Sequence, residues 1–276
     1  MTSTAVYDSD HARRPIVSEI SNLWNHRELI RALVSRDLTV RYKRSTLGMW
    51  WTLLNPLLTT LVLWIIFGQF FRFEIPGDVP YIVYLLSGIL FITFFSQATL
   101  ASASAIVNNS GILTKVYVPP EVFSFSSAFA AGVNFVISLI ALLLVQVITG
   151  TGIPWTVFLS VVPIIATLAL TAGLGLLVAS AAVAFYDVID LTAVLLQVVG
   201  YLTPTFYPIS IVPDRFLWLM YANPLYSYLL VFRGFAYEGV FAPWWAFAYM
   251  LLTGAGVLLL GAWTFSRSWR RLVVLL

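Results

Sequence analysis

Long stretches of this chain contain no charged residue. Gly48–Phe71, Tyr81–Val107 and everything from Val122 to Tyr186 lack Asp, Glu, Lys and Arg, as do Leu191–Val212 and Gly239–Ser266. An apolar helix of about 20 residues crosses the hydrocarbon core of a bilayer, and a lipid-exposed backbone must satisfy its own hydrogen bonds. The chain is 60% hydrophobic and only 10% charged, where a soluble domain carries about 25% charged residues. These features predict an all-α polytopic membrane protein with little room for a separate soluble domain.

Taken in order, residues 1–20 are polar and irregular and read as a flexible tail. No signal peptide is visible, which places the N-terminus inside the cell. Residues 22–44 then form an amphipathic helix. Six spans are expected at about 48–71, 81–107, 122–149, 155–186, 191–212 and 239–266. Asn55-Pro56 should kink the first of them. The Gly150–Pro154 break separates the third from the fourth. Ser124, Ala128 and Gly132 are spaced by four, as are Thr171, Gly175 and Ala179, which suits close helix approach in lipid. Phe216–Phe232 is 17 residues with a central Asn223-Pro224, short for a span. It reads as two short re-entrant helices within 213–235. With six spans and both termini cytoplasmic, all Lys and Arg except Arg72, Arg215 and Arg233 lie inside, as the positive-inside rule asks.

The join between the amphipathic helix and the first span is the densest feature. Ile30, Leu33, Val34 and Leu38 make an apolar face, and Arg27, Glu28, Arg31 and Asp37 stand opposite. Asn25 with Glu28 fits an N-terminal cap. Arg36, Arg41, Lys43 and Arg44 suit anionic head groups, and Trp50 and Trp51 suit the interfacial aromatic belt. A plain positive-inside flank explains the charges equally well. The periodic face calls for a helix lying on the membrane.

Several kinds of chemistry find no residues here. There is no cysteine, and the only histidines are His11 and His26. The phosphate-cradling G-x-x-x-x-G-K-[ST] loop is absent, so any ATP and magnesium belong to another chain. The expected spans carry no charged group to couple ion flow. Asp187 and Asp190 form an Asp-x-x-Asp pair of the kind that holds magnesium pyrophosphate in membrane transferases. Such sites need further carboxylates, and none lies nearby in sequence, which favours a solvated turn. Nothing points to nucleic acid.

Loop 108–121 could form one or two helical turns, stopped by Pro119-Pro120, and either docks a partner or simply joins two spans. Aromatics make up 16% of the chain. Trp51, Phe91, Phe94, Phe95, Tyr201, Phe206, Tyr207, Trp218 and Tyr221 offer flat faces for stacking, although any single membrane aromatic belongs more often against lipid. Asn55, Gln97 and Gln197 either bond between helices or line a wet path.

The run Arg36-Asp37-Leu38, Arg41-Tyr42-Lys43-Arg44-Ser45, Leu47-Gly48, Trp51, Leu54-Asn55-Pro56 resembles the N-terminal signature of ABC-2 type permeases that export polysaccharides. The resemblance extends over nearly the whole chain after residue 20. It implies a homodimer working with two copies of a separate ATP-binding subunit. The cargo it implies is a glycan on undecaprenyl or decaprenyl pyrophosphate, exported across the inner (plasma) membrane. It assigns the coupling element to residues 110–121, with Ile112, Lys115, Val116, Tyr117, Pro119 and Glu121 at the contact. Arg36, Arg41, Lys43 and Arg44 would meet the lipid anchor. Trp51, Phe91, Phe94, Phe95, Tyr201, Phe206 and Tyr207 would line the channel along spans one, two and five. Asp214, Arg215, Trp218, Tyr221 and Arg233 would belong to an outer gate. One departure is that Tyr186 precedes Asp187, where the family often has a basic residue. The Ala- and Val-rich style suggests an actinobacterial (mycobacterial) galactan exporter. Rival readings are an ABC-2 permease for drugs or lipids, and a transferase using Asp187 and Asp190.

Overall fold

Helix α3 (Tyr81–Asn108) is the axis around which the other helices pack. The structure is a computed structural model that describes residues 26–43, 45–73, 75, 79–113, 118–183, 185 and 187–272, with backbone alone for 269–272. Before α3 come α1 (Arg27–Tyr42) and α2 (Trp50–Leu63), which continues as a π-helix over Trp64–Phe70. After it come α4 (Ser110–Leu113), α5 (Glu121–Thr149) and α6 (Val161–Ala182), the last led in by a 3₁₀ turn over Trp155–Ser160. Then follow α7 (Asp187–Leu202), α8 (Leu217–Ala222), α9 (Pro224–Arg233) with a π turn over Gly234–Glu238, and α10 (Trp244–Leu272). Among the described residues, five segments are long and apolar enough to cross a membrane: 50–70, 81–108, 121–149, 155–182 and 244–268. The protein is a helical polytopic membrane protein.

Small residues bring the backbones together. A Cβ on Gly173 of α6 would lie 2.6 Å from the Leu258 backbone of α10, and one on Gly261 would run into the Gly173 carbonyl. On its other flank α6 presents Gly175, where a Cβ would strike the Ser102 side chain of α3. Ser124 of α5 donates to the Ser102 carbonyl at 2.9 Å. Between these contacts an aromatic core fills the centre. Phe94 stacks on Phe135 of α5 at 4.5 Å, and Phe91 on Phe232 of α9 at 5.3 Å.

Helix α1 packs one face against protein. Leu33 is buried in a cluster with Ala105, Val122 and Phe123, joined by Ile30, Leu113 and Val118. Further along, Ser127 donates to Asp37 at 3.4 Å, and Tyr42 donates to Asn134 at 2.6 Å. The contacts advance in step along both helices, so α1 runs beside the first half of α5 in the same direction. Its apolar face meets protein because α3 and α5, at 28 and 29 residues, are each about 42 Å long and overshoot a 30 Å core. The N-cap of α1 is His26, without a side-chain cap bond, and Asn25 lies outside the described residues.

The expected fifth span, 191–212, is helical only to Leu202. Its 16 residues reach about 24 Å. Pro204 ends it, because a proline disfavours helix in the residue before it and lacks the N–H to continue. The chain then turns back through 203–208 into α8 and α9. Asn223 caps α9 by accepting from the Leu225 amide at 3.1 Å, and its own amide group donates to Thr203 at 2.8 Å.

Arg233, at the end of α9, ties this returning segment to α3. It is 5% exposed and, among the described residues, makes no ion pair. Its guanidinium donates to the carbonyls of Pro204 (2.9 Å), Tyr84 (3.1 Å) and Thr205 (3.3 Å) and to the Ser87 hydroxyl (3.2 Å). It also lies 3.6 Å over the Tyr84 ring, and the Tyr84 hydroxyl donates to the carbonyls of Pro204 and Tyr207. Gly88 makes room: a Cβ there would be 2.8 Å from the guanidinium.

Two outcomes follow from this packing. Gly173→Ala should force α6 and α10 apart at a cost of about 1–3 kcal/mol, lowering the detergent melting midpoint by roughly 2–10 °C. Gly256→Ala, with nothing within 4 Å, should leave it unchanged. Arg233→Ala should strip the donors from buried carbonyls, each worth about 1–3 kcal/mol. Hydrogen–deuterium exchange should then rise in 81–90 and 203–212 while α6 and α10 stay protected. Arg233→Lys should behave like the alanine variant, because one ammonium cannot span the four acceptors.

Candidate functional site: a polar groove along α3

Helix α3 is buried except along one stripe, where Thr93 and Gln97 are exposed and Ser96 is half-exposed. Thr93 and Gln97 are one turn apart and share a face. Among the described residues, no side-chain hydrogen bond engages Thr93, Ser96 or Gln97. Polar groups left like this in hydrocarbon are costly, so this face needs water, a ligand or another chain.

Two hollows meet on the stripe. The first, about 220 Å³, lies between the α1–α2 turn, α3 and α5. Arg41, Tyr42, Ser45, Trp51, Asn55 and Asn134 wall it. The turn is made by Gly48 at φ +50, a left-handed conformation, and Ser45 accepts from its amide at 3.0 Å. Tyr42 is fixed by two 2.6 Å hydrogen bonds, to Asn134 and to Thr52. Among the described residues, Arg41 is the one cation in the lining. Asn134 sits 15 residues, about 22 Å, from the end of α5 at Thr149.

The second hollow, about 300 Å³, lies between α3 and α7 and shares Thr93 and Gln97 with the first. Gln197, Tyr201 and Phe206 wall it. Gln197 donates to the Tyr201 hydroxyl at 3.1 Å, and the Tyr201 and Phe206 rings are 6.3 Å apart. Together the hollows form one groove of hydrogen-bonding groups and aromatic faces, neutral among the described residues but for Arg41. It is flanked by α2, which buries only Thr60, and α7, which buries only Leu196 and Gly200. Leu58, Leu61, Val62 and Ile65 of α2 and Leu191, Val194, Leu195 and Val198 of α7 are all exposed.

Of the expected channel aromatics, Trp51, Phe94, Tyr201 and Phe206 line the groove. Phe91 and Phe95 do not: they are 0% and 4% exposed, packed into the core because they fall on the inward faces of α3. Phe94 is mostly buried as well and shows the groove one edge. Tyr207 points its hydroxyl at the carbonyls of Tyr201 and Leu202, outside both hollows. Asn55, Gln97 and Gln197 all border the groove.

The basic residues part company. Arg36 is held by Asp37 at 3.0 Å and reaches Asn109 at 3.3 Å, Arg41 faces the groove, and Lys43 is exposed beyond α1. Arg44 lies outside the described residues. In the 110–121 element, only 110–113 is helical before α5 begins at Glu121. Ile112 is exposed, but Pro119 and Glu121 are buried and shape the return into α5 instead of offering contact surface. Lys115, Val116 and Tyr117 lie outside the described residues. Asp214, Arg215, Trp218 and Tyr221 are exposed around α8, whereas Arg233 is buried in the carbonyl cage and faces no opening. Asp187 and Asp190 are exposed in the first turn of α7, where a carboxylate suits the helix dipole. Among the described residues no third metal-ligating side chain joins them.

Sequence reasoning did not single out Tyr42, Thr93 or Asn134 as site residues. Asn134 had a signal, as an amide deep in the uncharged 122–186 run. Thr93 had one too, four residues before Gln97.

The sequence pattern of the family described as "ABC-2 type transporter" matches residues 28–237, most of the chain. The O-antigen export system permease protein RfbA of Myxococcus xanthus is 33% identical over 222 residues, covering 79% of this chain and 84% of that protein. The polysialic acid transport protein KpsM of Escherichia coli is 26% identical over 217 residues, 76% of this chain and 84% of its own length. The capsule polysaccharide export inner-membrane protein CtrC of Neisseria meningitidis is 25% identical over 251 residues, 88% and 92% of the two chains. With most of its length matched, and with a relative above 30% identity over most of both chains, this protein belongs to the ABC-2 type transporter family.

Proposed function

We propose that this chain is the permease subunit of an ATP-driven exporter that moves a lipid-linked polysaccharide across the cytoplasmic membrane. The observation that carries the reading is the groove along α3. Its amide, hydroxyl and aromatic lining offers a glycan hydrogen bonds for its hydroxyls and flat faces for its C–H surfaces, and it lies at membrane depth on an open side of the chain. Relatives named for O-antigen, polysialic acid and capsule polysaccharide export support the substrate class.

The rest of the mechanism follows from placement. A second copy of the chain would cover the exposed apolar faces of α2 and α7, turning two open grooves into one enclosed path. Two ATP-binding subunits would press on residues 110–121, where Ile112 offers an exposed apolar side chain at the α1 end of the molecule. Their closure is passed to α1 through the cluster joining Leu113 and Val118 to Leu33, and through Arg36 on Asn109. Helix α1 in turn holds the groove through Tyr42. In this assembly both termini and the 110–121 element face the cytoplasm.

The test is purification from native membranes in mild detergent, followed by ATPase assay. A stoichiometric ATP-binding subunit should co-purify, and its hydrolysis should rise several-fold with lipid-linked glycan but not with small amphiphiles. A chain that purifies alone, even after crosslinking, overturns the reading. Ile112→Asp should cut the co-purified subunit by about tenfold while leaving the melting midpoint unchanged, because the residue supports no core packing. Retained ATPase would show that docking lies elsewhere.

A further inference from the structure

The hollow between the α1–α2 turn, α3 and α5 differs from the rest of the groove in size and in charge. Its volume of about 220 Å³ falls below the 300–1,000 Å³ of a site for a drug-sized ligand. It therefore suits one ring and not a stretch of polymer. Thr52, Asn55, Thr93, Gln97, Asn134 and Ser138 surround it with uncharged groups, and the exposed Arg41 is the single cation among the described lining residues.

The hydrogen-bonding capacity facing the hollow is largely unspent. Tyr42 occupies the Oδ1 of Asn134, which leaves the Nδ2 of that amide without a protein acceptor among the described residues. Gln97 and Thr93 make no side-chain hydrogen bond there either, and the Thr59–Asn55 contact is long at 3.5 Å. Three amides present donors and acceptors side by side, which matches hydroxyls that both give and accept. They do not match an anion, which would need a paired cation at that depth. The indole of Trp51 adds a flat face to the lining.

From this arrangement we infer that the hollow is a binding site for a single sugar ring, the one joined to the lipid pyrophosphate, with Arg41 beside it taking the phosphate. The inference rests on the reading of the chain as an exporter of lipid-linked glycan and adds a recognition step to it. The lipid tail stays outside, the phosphates stop at Arg41, and the first ring enters between Trp51, Asn55, Gln97 and Asn134. The hollow thereby distinguishes a loaded carrier lipid from an empty one before any chain is threaded.

The test uses the complete transporter, permease with its ATP-binding partner, in nanodiscs. Binding is measured by native mass spectrometry with two probes: undecaprenyl pyrophosphate, and the same lipid bearing one N-acetylglucosamine. The sugar-bearing lipid should bind the wild type about tenfold more tightly, the yield expected of one or two well-made hydrogen bonds. In Asn55→Leu/Gln97→Leu that preference should fall below twofold while the bare lipid binds as before. Arg41→Ala should weaken both probes alike. Equal binding of the two lipids by the wild type would overturn the inference and leave the exporter reading standing. So would a preference that survives the double substitution, or displacement of both probes by phosphatidylglycerol. If neither lipid binds at all, the lipid-linked substrate itself is wrong and the inference falls with it.

Discussion

A helix in lipid has no water to complete its polar side chains, so whatever it cannot bury must be met by something else. Helix α3 lives under that constraint on every side. Its inward faces are closed by backbone-close packing at Ser102 and Gly175 and by the Phe91–Phe94–Phe135–Phe232 core. Its last face, at Thr93 and Gln97, is left open and polar. The elements beside that face, α2 and α7, bury few of their own residues, so the polar face and its apolar flanks lie open together.

The second requirement is that a chain returning within the membrane must not leave its carbonyls bare. The segment after α7 breaks helix at Pro204 and would expose several. Arg233 and the hydroxyls of Tyr81 and Tyr84 supply the donors instead. A guanidinium serves here as a backbone partner and not as half of an ion pair. Since it bonds α3 and the 203–205 turn together, α9, that turn and the start of α3 form one body.

Much of the fold could be read from the residues, because an uncharged run is a direct statement about solvent. The polytopic helical class follows from composition, and a short, Pro-broken 216–232 segment cannot span. Facing was harder. The apolar stripe of α1 was visible at Ile30, Leu33, Val34 and Leu38, yet lipid and protein offer an apolar face the same reward, and here Val122 and Phe123 take it. Phe91, Phe94 and Phe95 look alike as letters, and their positions around α3 send two into the core and leave one edge in the groove. The cage around Arg233 was illegible because its partners are carbonyls, which every residue carries.

The α3–α7 part of the groove has no charged lining residue among the described residues, and under the proposed function this would have a mechanical consequence. A charged lining would make deep wells, and a polymer would stick wherever its groups matched one. Neutral groups such as Gln197, Ser96 and the Tyr201 hydroxyl would instead hold each passing ring weakly and in much the same way, so the energy along that stretch would be close to flat. On such a track friction would stay low and successive repeats would be interchangeable. Beyond the first ring, the direction of travel would then be set by a stroke at one end.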